Sequence, residues 1–220
     1  GFYFIHRAAV VALDTNLMKN VLIKDFNNFT DRGLFSNAKD DPLSGRLFLL
    51  DGAEWKNMRN KLSPTFSSGK MKNMYGLVLE QAEQLVAVLD DLSKEDPKLE
   101  IKDIMARFTT DVIGSCAFGI NCNSLRDPQA EFRVMGLRSL NERRHGLVIS
   151  SFMQGFPELA RKLHMRSMPD DITNFFMRIV KEVLIYREQN NIEAHDFLGI
   201  LTSIKKETDV KLSIEQMAAQ

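Results

Sequence analysis

Apolar residues at Ile172, Phe175, Phe176, Ile179, Val180, Val183 and Leu184 recur three and four apart. This is the strongest periodic pattern in the chain, and it predicts an amphipathic helix opening at Asp170. A second stripe, Met74, Leu77, Val78, Leu85, Val88, Leu89 and Leu92, predicts a long helix after Gly69. Between them, "IKDIMARFTTDVIGSCAFGI" predicts a helix of roughly fifteen residues, and its apolar run from Val112 to Phe118 makes it a central one. Further helices are predicted over Phe132 to Arg144, after a cap at Asp14 or Thr15 with Leu17, Met18, Val21 and Leu22, and within "AHDFLGILTSIKKE". Asp51-Gly52-Ala53-Glu54 fits a capping box, with Asp in place of Ser or Thr, and the helix it opens carries Trp55, Met58, Arg59 and Leu62 until Ser63-Pro64 interrupts it. Ser213-Ile214-Glu215-Gln216 is a second capping box. At the N-terminus, "FYFIHRAAVVAL" reads as two short strands with a turn near His6-Arg7. The glycines, proline and turn formers of "TDRGLFSNAKDDPLSGRLFLLDG" predict a loop up to Asp51. The stretch 145–169 is apolar and aromatic, and is broken by Gly155, Pro157 and Pro169. The fold class is mainly α with a small N-terminal β element, without internal repeats.

Composition narrows the function. The 220 residues are long enough to bury a real core, and 44% hydrophobic with 26% charged is ordinary globular content. Lys plus Arg and Asp plus Glu are both 29, a balance that argues against nucleic acid as the main partner. No apolar run reaches the roughly eighteen residues of a membrane-spanning helix. Two cysteines, Cys116 and Cys122, make a poor disulfide framework and fit a reducing compartment. Eleven Met and fifteen Phe supply adaptable apolar surface, either as core filler or as a pocket lining.

The familiar catalytic patterns are absent. There is no HExxH, no CxxC and no GxSxG, and the four histidines are scattered. The chemistry rests on Trp55 and Arg59. At i and i+4 they share a helix face. An indole N–H is a donor only and a guanidinium is a permanent fork of donors, a pair suited to holding a carboxylate away from water. A core tryptophan packed on a surface arginine by cation–π contact would produce the same spacing.

The block "DGAEWKNMRNKLSPTFSSGKMK", Asp51 to Lys72, resembles the C-helix region of the microsomal cytochromes P-450, the haem-thiolate monooxygenases. Those enzymes carry Trp-x-x-x-Arg there, followed by Leu-Ser-Pro-x-Phe and Ser-Gly-Lys. The resemblance extends to "VLIKDFNNFTDRG", "FTTDVIGSCAFGINCNSLRDP", "FFMRIVKEVLIYRE", "HDFLGIL" and "LSIEQMAAQ", and so runs over essentially the whole chain. It is similar in kind to insect detoxifying enzymes related to the vertebrate drug-metabolising group.

What the resemblance implies is specific. The fold is a partial cytochrome P-450 fold, truncated at the start of the I-helix: strands and B-helix region 1–32, B–C loop 33–50, C-helix 51–63, D to H helices 64–210 and the I-helix start 213–220. The cofactor is haem b, with Trp55 and Arg59 on a propionate and Arg32 of "FTDRG" as a further propionate contact. The substrate wall comprises Phe35, Phe48 and Leu49 in the loop over the haem, and Phe152, Met153 and Phe156 in the F-helix and F–G region. The activity is insertion of one oxygen atom from O2 into an apolar small molecule. Electrons come from an NADPH-dependent cytochrome P-450 reductase, for which Lys56, Lys61, Lys70 and Lys72 are candidate contacts. The location is the cytosolic face of the endoplasmic reticulum membrane, touched by residues 147–169. The I-helix Thr and the axial Cys of the family lie outside these residues, and Cys116 and Cys122 lack the Phe-x-x-Gly-x-x-x-Cys context. No catalytic residue and no metal ligand is therefore expected in this chain, and the chain alone is expected to be inactive. The alternative is a non-catalytic helical module that binds an anionic lipid or a partner helix through the same Trp/Arg face and the apolar segment 147–169.

Overall fold

A computed structural model describes residues 1–4, 7–96, 98–207 and 212–220. The N-terminal strands β1 (Phe2–Phe4) and β2 (Arg7–Ala9) pair antiparallel, with Phe2 opposite Ala9 and Tyr3 opposite Ala8. The turn expected near His6 lies outside the described residues. Helix α1 (Thr15–Lys19) is capped by Asp14, which accepts the Leu17 N–H at 2.8 Å, and it runs on as a wider π turn over Asn20–Lys24. A long irregular strap follows, broken by a 3-10 turn at Pro42–Gly45. It leads into α2 (Gly52–Leu62). The expected interruption is a 3-10 turn at Ser63–Phe66, where Pro64 stands at the start and cannot donate a helical hydrogen bond.

Helix α3 (Ser68–Glu95) spans 28 residues, and Met74, Gln81 and Val88 are its buried positions, seven apart. Helix α4 (Ile101–Ile113) extends as a π turn over Gly114–Phe118. The apolar run there is only partly covered. Val112 and Cys116 to Phe118 are half-buried, Ile113 is exposed, and the buried side chains at this level are the polar Asp111 and Ser115. Asp111 is tolerated because its carboxylate accepts the Ser124 and Leu125 N–H groups at 2.7 and 2.9 Å, pinning the loop that follows.

Helix α5 (Glu131–Asn141) stops three residues short of the predicted Arg144. Arg144 instead leaves the helix to pair with Asp170 at 2.7 Å and to donate to the Met168 carbonyl. Helices α6 (Leu147–Gly155) and α7 (Pro157–Lys162) divide the apolar segment at its glycine and proline. The strongest periodic pattern becomes α8 (Asp170–Gln189), with Ile172, Phe175 and Val180 buried. Helices α9 (Phe197–Glu207) and α10 (Ile214–Ala218) complete the chain. The Ser213 capping box is present in both directions, at 3.2 and 3.1 Å.

Two contacts hold these elements together. Leu50, Met58, Leu62, Val180, Leu198, Leu201, Leu212 and Met217 form one cluster between α2, α8, α9 and α10, each such side chain contributing about 1.5–3 kcal/mol on burial. Phe118, Phe132, Phe175 and Phe176 form an aromatic wedge between α4, α5 and α8, with ring centroids 5.1 to 6.4 Å apart and mostly edge-on. No described helix is long and apolar enough to cross a membrane.

Candidate functional site

The start of α2 is built by an exchange of carboxylates. Asp51 does not cap its own helix, so the expected box is not formed there. Gly52 takes φ +54°, a left-handed turn that favours glycine, at the first helical residue. The Asp51 carboxylate is engaged elsewhere, accepting the Arg32 N–H at 2.8 Å and the Gly33 N–H at 3.4 Å. The Gly52 N–H is taken in return by Asp31 at 2.7 Å. Each aspartate thus satisfies backbone donors on the other's segment, and this lashes residues 31–33 to the helix N-terminus.

The consequence is the position of Arg32. Its guanidinium carbon lies 5.1 Å from the Phe48 ring centroid and 5.9 Å from that of Trp55, within cation–π range of both. Trp55 is half-buried. It packs against the main core cluster on one side and meets Phe26 edge-to-face at 5.8 Å on another. Arg59 stands one turn further along the same face and is exposed. Among the described residues, neither the Trp55 indole N–H nor the Arg59 guanidinium has an acceptor in the protein. Arg32, which the sequence pairing with Trp55 and Arg59 did not require to be adjacent, is brought beside the indole.

Arg187 makes the contrast. It donates to both carboxylate oxygens of Asp196, at 3.0 and 2.6 Å, and to the Phe118 carbonyl at 3.1 Å, with Asp196 only 6% exposed. Its charge is internally spent, and it serves the fold.

The six apolar residues expected at a substrate wall fall into two groups. Phe35 and Met153 are buried together with Ala160, and half-buried Phe152 and Met165 pack against them, so the strap meets α6 here. Phe156 is exposed and stacks on Phe152 at 5.5 Å. Phe48, exposed beneath Arg32 on the Trp55 side, and half-buried Leu49 do not join that cluster. A cavity of about 800 Å³ lies elsewhere, between α3, α8 and the segment before α9, and none of these candidates lines it. A smaller one of about 250 Å³ lies between the strap, α2 and α10, beside Glu54, Met58 and Lys61.

Cys116 and Cys122 are unbridged and half-buried. Burial, and then the nearby Asp111 charge, push the Cys122 thiol up to about 12, the opposite of what a reactive or ligating thiol needs. Among the described residues no His, Cys, Asp and Glu cluster could hold a metal.

The sequence profile of the cytochrome P450 family matches the chain over residues 1–220. The chain belongs to the cytochrome P450 family. Among curated relatives, the probable cytochrome P450 6a21 of Drosophila melanogaster is 53% identical over the whole of this chain and 45% of its own length. Cytochrome P450 6a9 of the same fly is 50% identical, over the whole chain and 45% of its own length. Cytochrome P450 6A1 of Musca domestica is 48% identical, over the whole chain and 44% of its own length. The chain therefore spans a little under half the length of these P450 relatives. The cofactor that the P450 family brings to the full-length protein is haem b. The donor set on α2 fits that group: an indole N–H and a guanidinium without protein acceptors, beside a second guanidinium, match the carboxylate of a propionate.

Proposed function

We propose that the full-length protein is a haem-dependent monooxygenase that oxidises apolar small molecules of xenobiotic, hormone or lipid type. The observation that carries this reading is the pair of unspent donors, Trp55 and Arg59, on a helix of a P450 chain. Trp55 and Arg59 hold one haem propionate, and Arg32, steered by the Asp31–Asp51 exchange, adds positive charge beside it. The cation–π contacts keep the Arg32 guanidinium oriented without using its N–H groups fully, since its hydrogen bond among the described residues, to the Phe48 carbonyl, is long at 3.5 Å. Haem, when bound, supplies the O2 chemistry.

The remaining assignments rest on position. Phe35, Phe48, Leu49, Phe152, Met153 and Phe156 face substrate and exclude water from it, the buried Phe35–Met153 contact joining the strap to α6. The segment 147–169 touches the membrane. Leu147, Val148, Leu159 and Leu163 are exposed at 72%, 84%, 47% and 58%, an outward apolar surface edged by Arg161, Lys162 and Arg166. An NADPH-dependent cytochrome P-450 reductase supplies electrons on the basic side of α2 and α3, where Lys56, Lys70 and Lys72 are exposed and Lys61 is half-buried. The setting is the cytosolic face of the endoplasmic reticulum.

The test is the CO difference spectrum of the full-length protein and of its Trp55→Phe and Arg59→Ala variants. A thiolate-type Soret shift in the parent, with less bound haem in both variants, is expected. Full haem content in both variants would remove the assigned role, and a parent without haem would remove the enzyme reading.

A further inference from the structure

Two glutamines grip the strap between α1 and α2 in the same way. The Gln154 carboxamide on α6 donates to the Gly33 carbonyl and accepts the Phe35 N–H at 3.1 Å. The Gln220 carboxamide, just past α10, donates to the Gly45 carbonyl at 3.2 Å and accepts the Leu47 N–H at 2.9 Å. In each case one side chain takes the C=O of residue i and the N–H of residue i+2. Those are the two groups that one residue of a parallel neighbouring strand would engage. A carboxamide is uncharged at every pH and carries both donors and an acceptor in one rigid plane, as such a clamp needs.

The strap is otherwise irregular, so its backbone groups have no ladder to satisfy them. The clamped residues matter because of what they carry. Gln154 fixes the backbone of Phe35, and Gln220 fixes the residue just before Phe48 and Leu49. Those are the strap's three expected substrate-wall residues. Between the clamps the strap is tied to the segment after α7. The buried Asp41 carboxylate accepts the Ser167 and Met168 N–H groups at 2.8 and 3.1 Å, and Asn37 donates to the Met165 carbonyl at 3.0 Å. The middle of the strap is thus anchored by buried polar contacts, and at each wall-bearing end a half-buried glutamine adds a two-point backbone clamp to the neighbouring contacts, Arg161 to the Ser36 carbonyl at one end and the Leu49 N–H to the Arg46 carbonyl at the other.

We propose that Gln154 and Gln220 are positioning residues that set the substrate wall by fixing the strap backbone on either side of it. They touch neither substrate nor haem. This rests on the haem-binding reading given above. A clamp at each end makes the two halves of the wall separately adjustable: Gln154 governs Phe35, and Gln220 governs Phe48 and Leu49.

The test uses the full-length haem-loaded protein with Gln154→Leu and Gln220→Leu. Gln→Glu variants retain the accepting half of each clamp and serve if a Leu variant fails to fold. Amide hydrogen exchange is read at Phe35 and Leu47. The ratio of Kd for 4-phenylimidazole to that for imidazole is read from the Soret shift, as a gauge of wall shape. We expect the Phe35 amide to exchange at least about ten-fold faster in Gln154→Leu with Leu47 unchanged, and the reverse in Gln220→Leu. The Kd ratio should shift at least about five-fold in each with the CO spectrum intact, and the Glu variants should fall between. Unchanged exchange would overturn the clamps. Faster exchange with an unchanged Kd ratio would leave them purely structural and overturn the positioning role. A wild-type protein without a haem spectrum would overturn the underlying reading, and positioning with it, while exchange would still decide the clamps.

Discussion

Arg187 lies with 12% of its side chain exposed and donates to both oxygens of Asp196 and to the Phe118 carbonyl, whereas Arg59 is exposed and donates to nothing in the protein among the described residues. The first guanidinium is a rivet. It closes α8 onto the start of α9 and the end of α4, and its desolvation is offset by a bidentate partner. The second is surplus to the fold, yet it stands one turn from an indole N–H that is also unspent. The fold consumes the charge of Arg187, whereas that of Arg59 is left over beside a second donor, which is the basis of the proposed propionate contact.

The comparison can be broken first at Arg187. Replacing it with Ala strands Asp196 as a buried charge and should cost about 3–5 kcal/mol, read as a lower denaturant midpoint; a loss below about 1 kcal/mol would mean the pair is no rivet. Gly119 sharpens the same point. Its φ of +66° favours glycine, and a Cβ there would sit 2.1 Å from Arg187 Nη2. Gly119→Ala should therefore cost at least about 2 kcal/mol, and a neutral outcome in the same denaturation assay would contradict it. On the α2 side, Asp51→Ala removes the acceptor for Arg32 and Gly33. About 1 kcal/mol of stability should be lost, together with weaker haem retention as Arg32 leaves the Trp55 ring.

The Cys122 thiol gives a pH test on the structural side. Burial raises it to about 12, so the neutral thiol is the form the fold favours. Its contribution is fully present below the ordinary thiol pKa, and fades as pH rises from there toward 12. Native Cys122 should be alkylated by iodoacetamide at pH 8 at least about ten-fold more slowly than in the unfolded chain. Equal rates, measured by mass spectrometry, would show the site to be open.

How much of this was legible in the sequence follows from where each signal lives. The α8 and α3 stripes and the Ser213 box are local in sequence, and they form as read. Trp55 and Arg59 share a helix face because helical spacing alone puts them there. Asp51 satisfied the same capping rule as Ser213 and yet turned away, because its carboxylate was claimed by N–H groups 18 and 19 residues upstream. No local pattern announces that exchange. Nor does one announce Gln154 and Gln220, whose strap partners lie 119 to 175 residues away. The apolar run at Val112–Phe118 read as part of a central helix, but composition alone does not say which of its residues the chain covers, and Ile113 is exposed.

The most direct measurement pairs two numbers on Arg59→Ala in the full-length protein: the unfolding free energy without haem, and the affinity for haem. If Arg59 is surplus to the fold, the first should stay within about 0.5 kcal/mol of wild type. The second should fall roughly ten-fold or more, the loss expected for one hydrogen bond to a charged group. A variant that loses stability while keeping its haem affinity would make Arg59 a second rivet and would contradict the account.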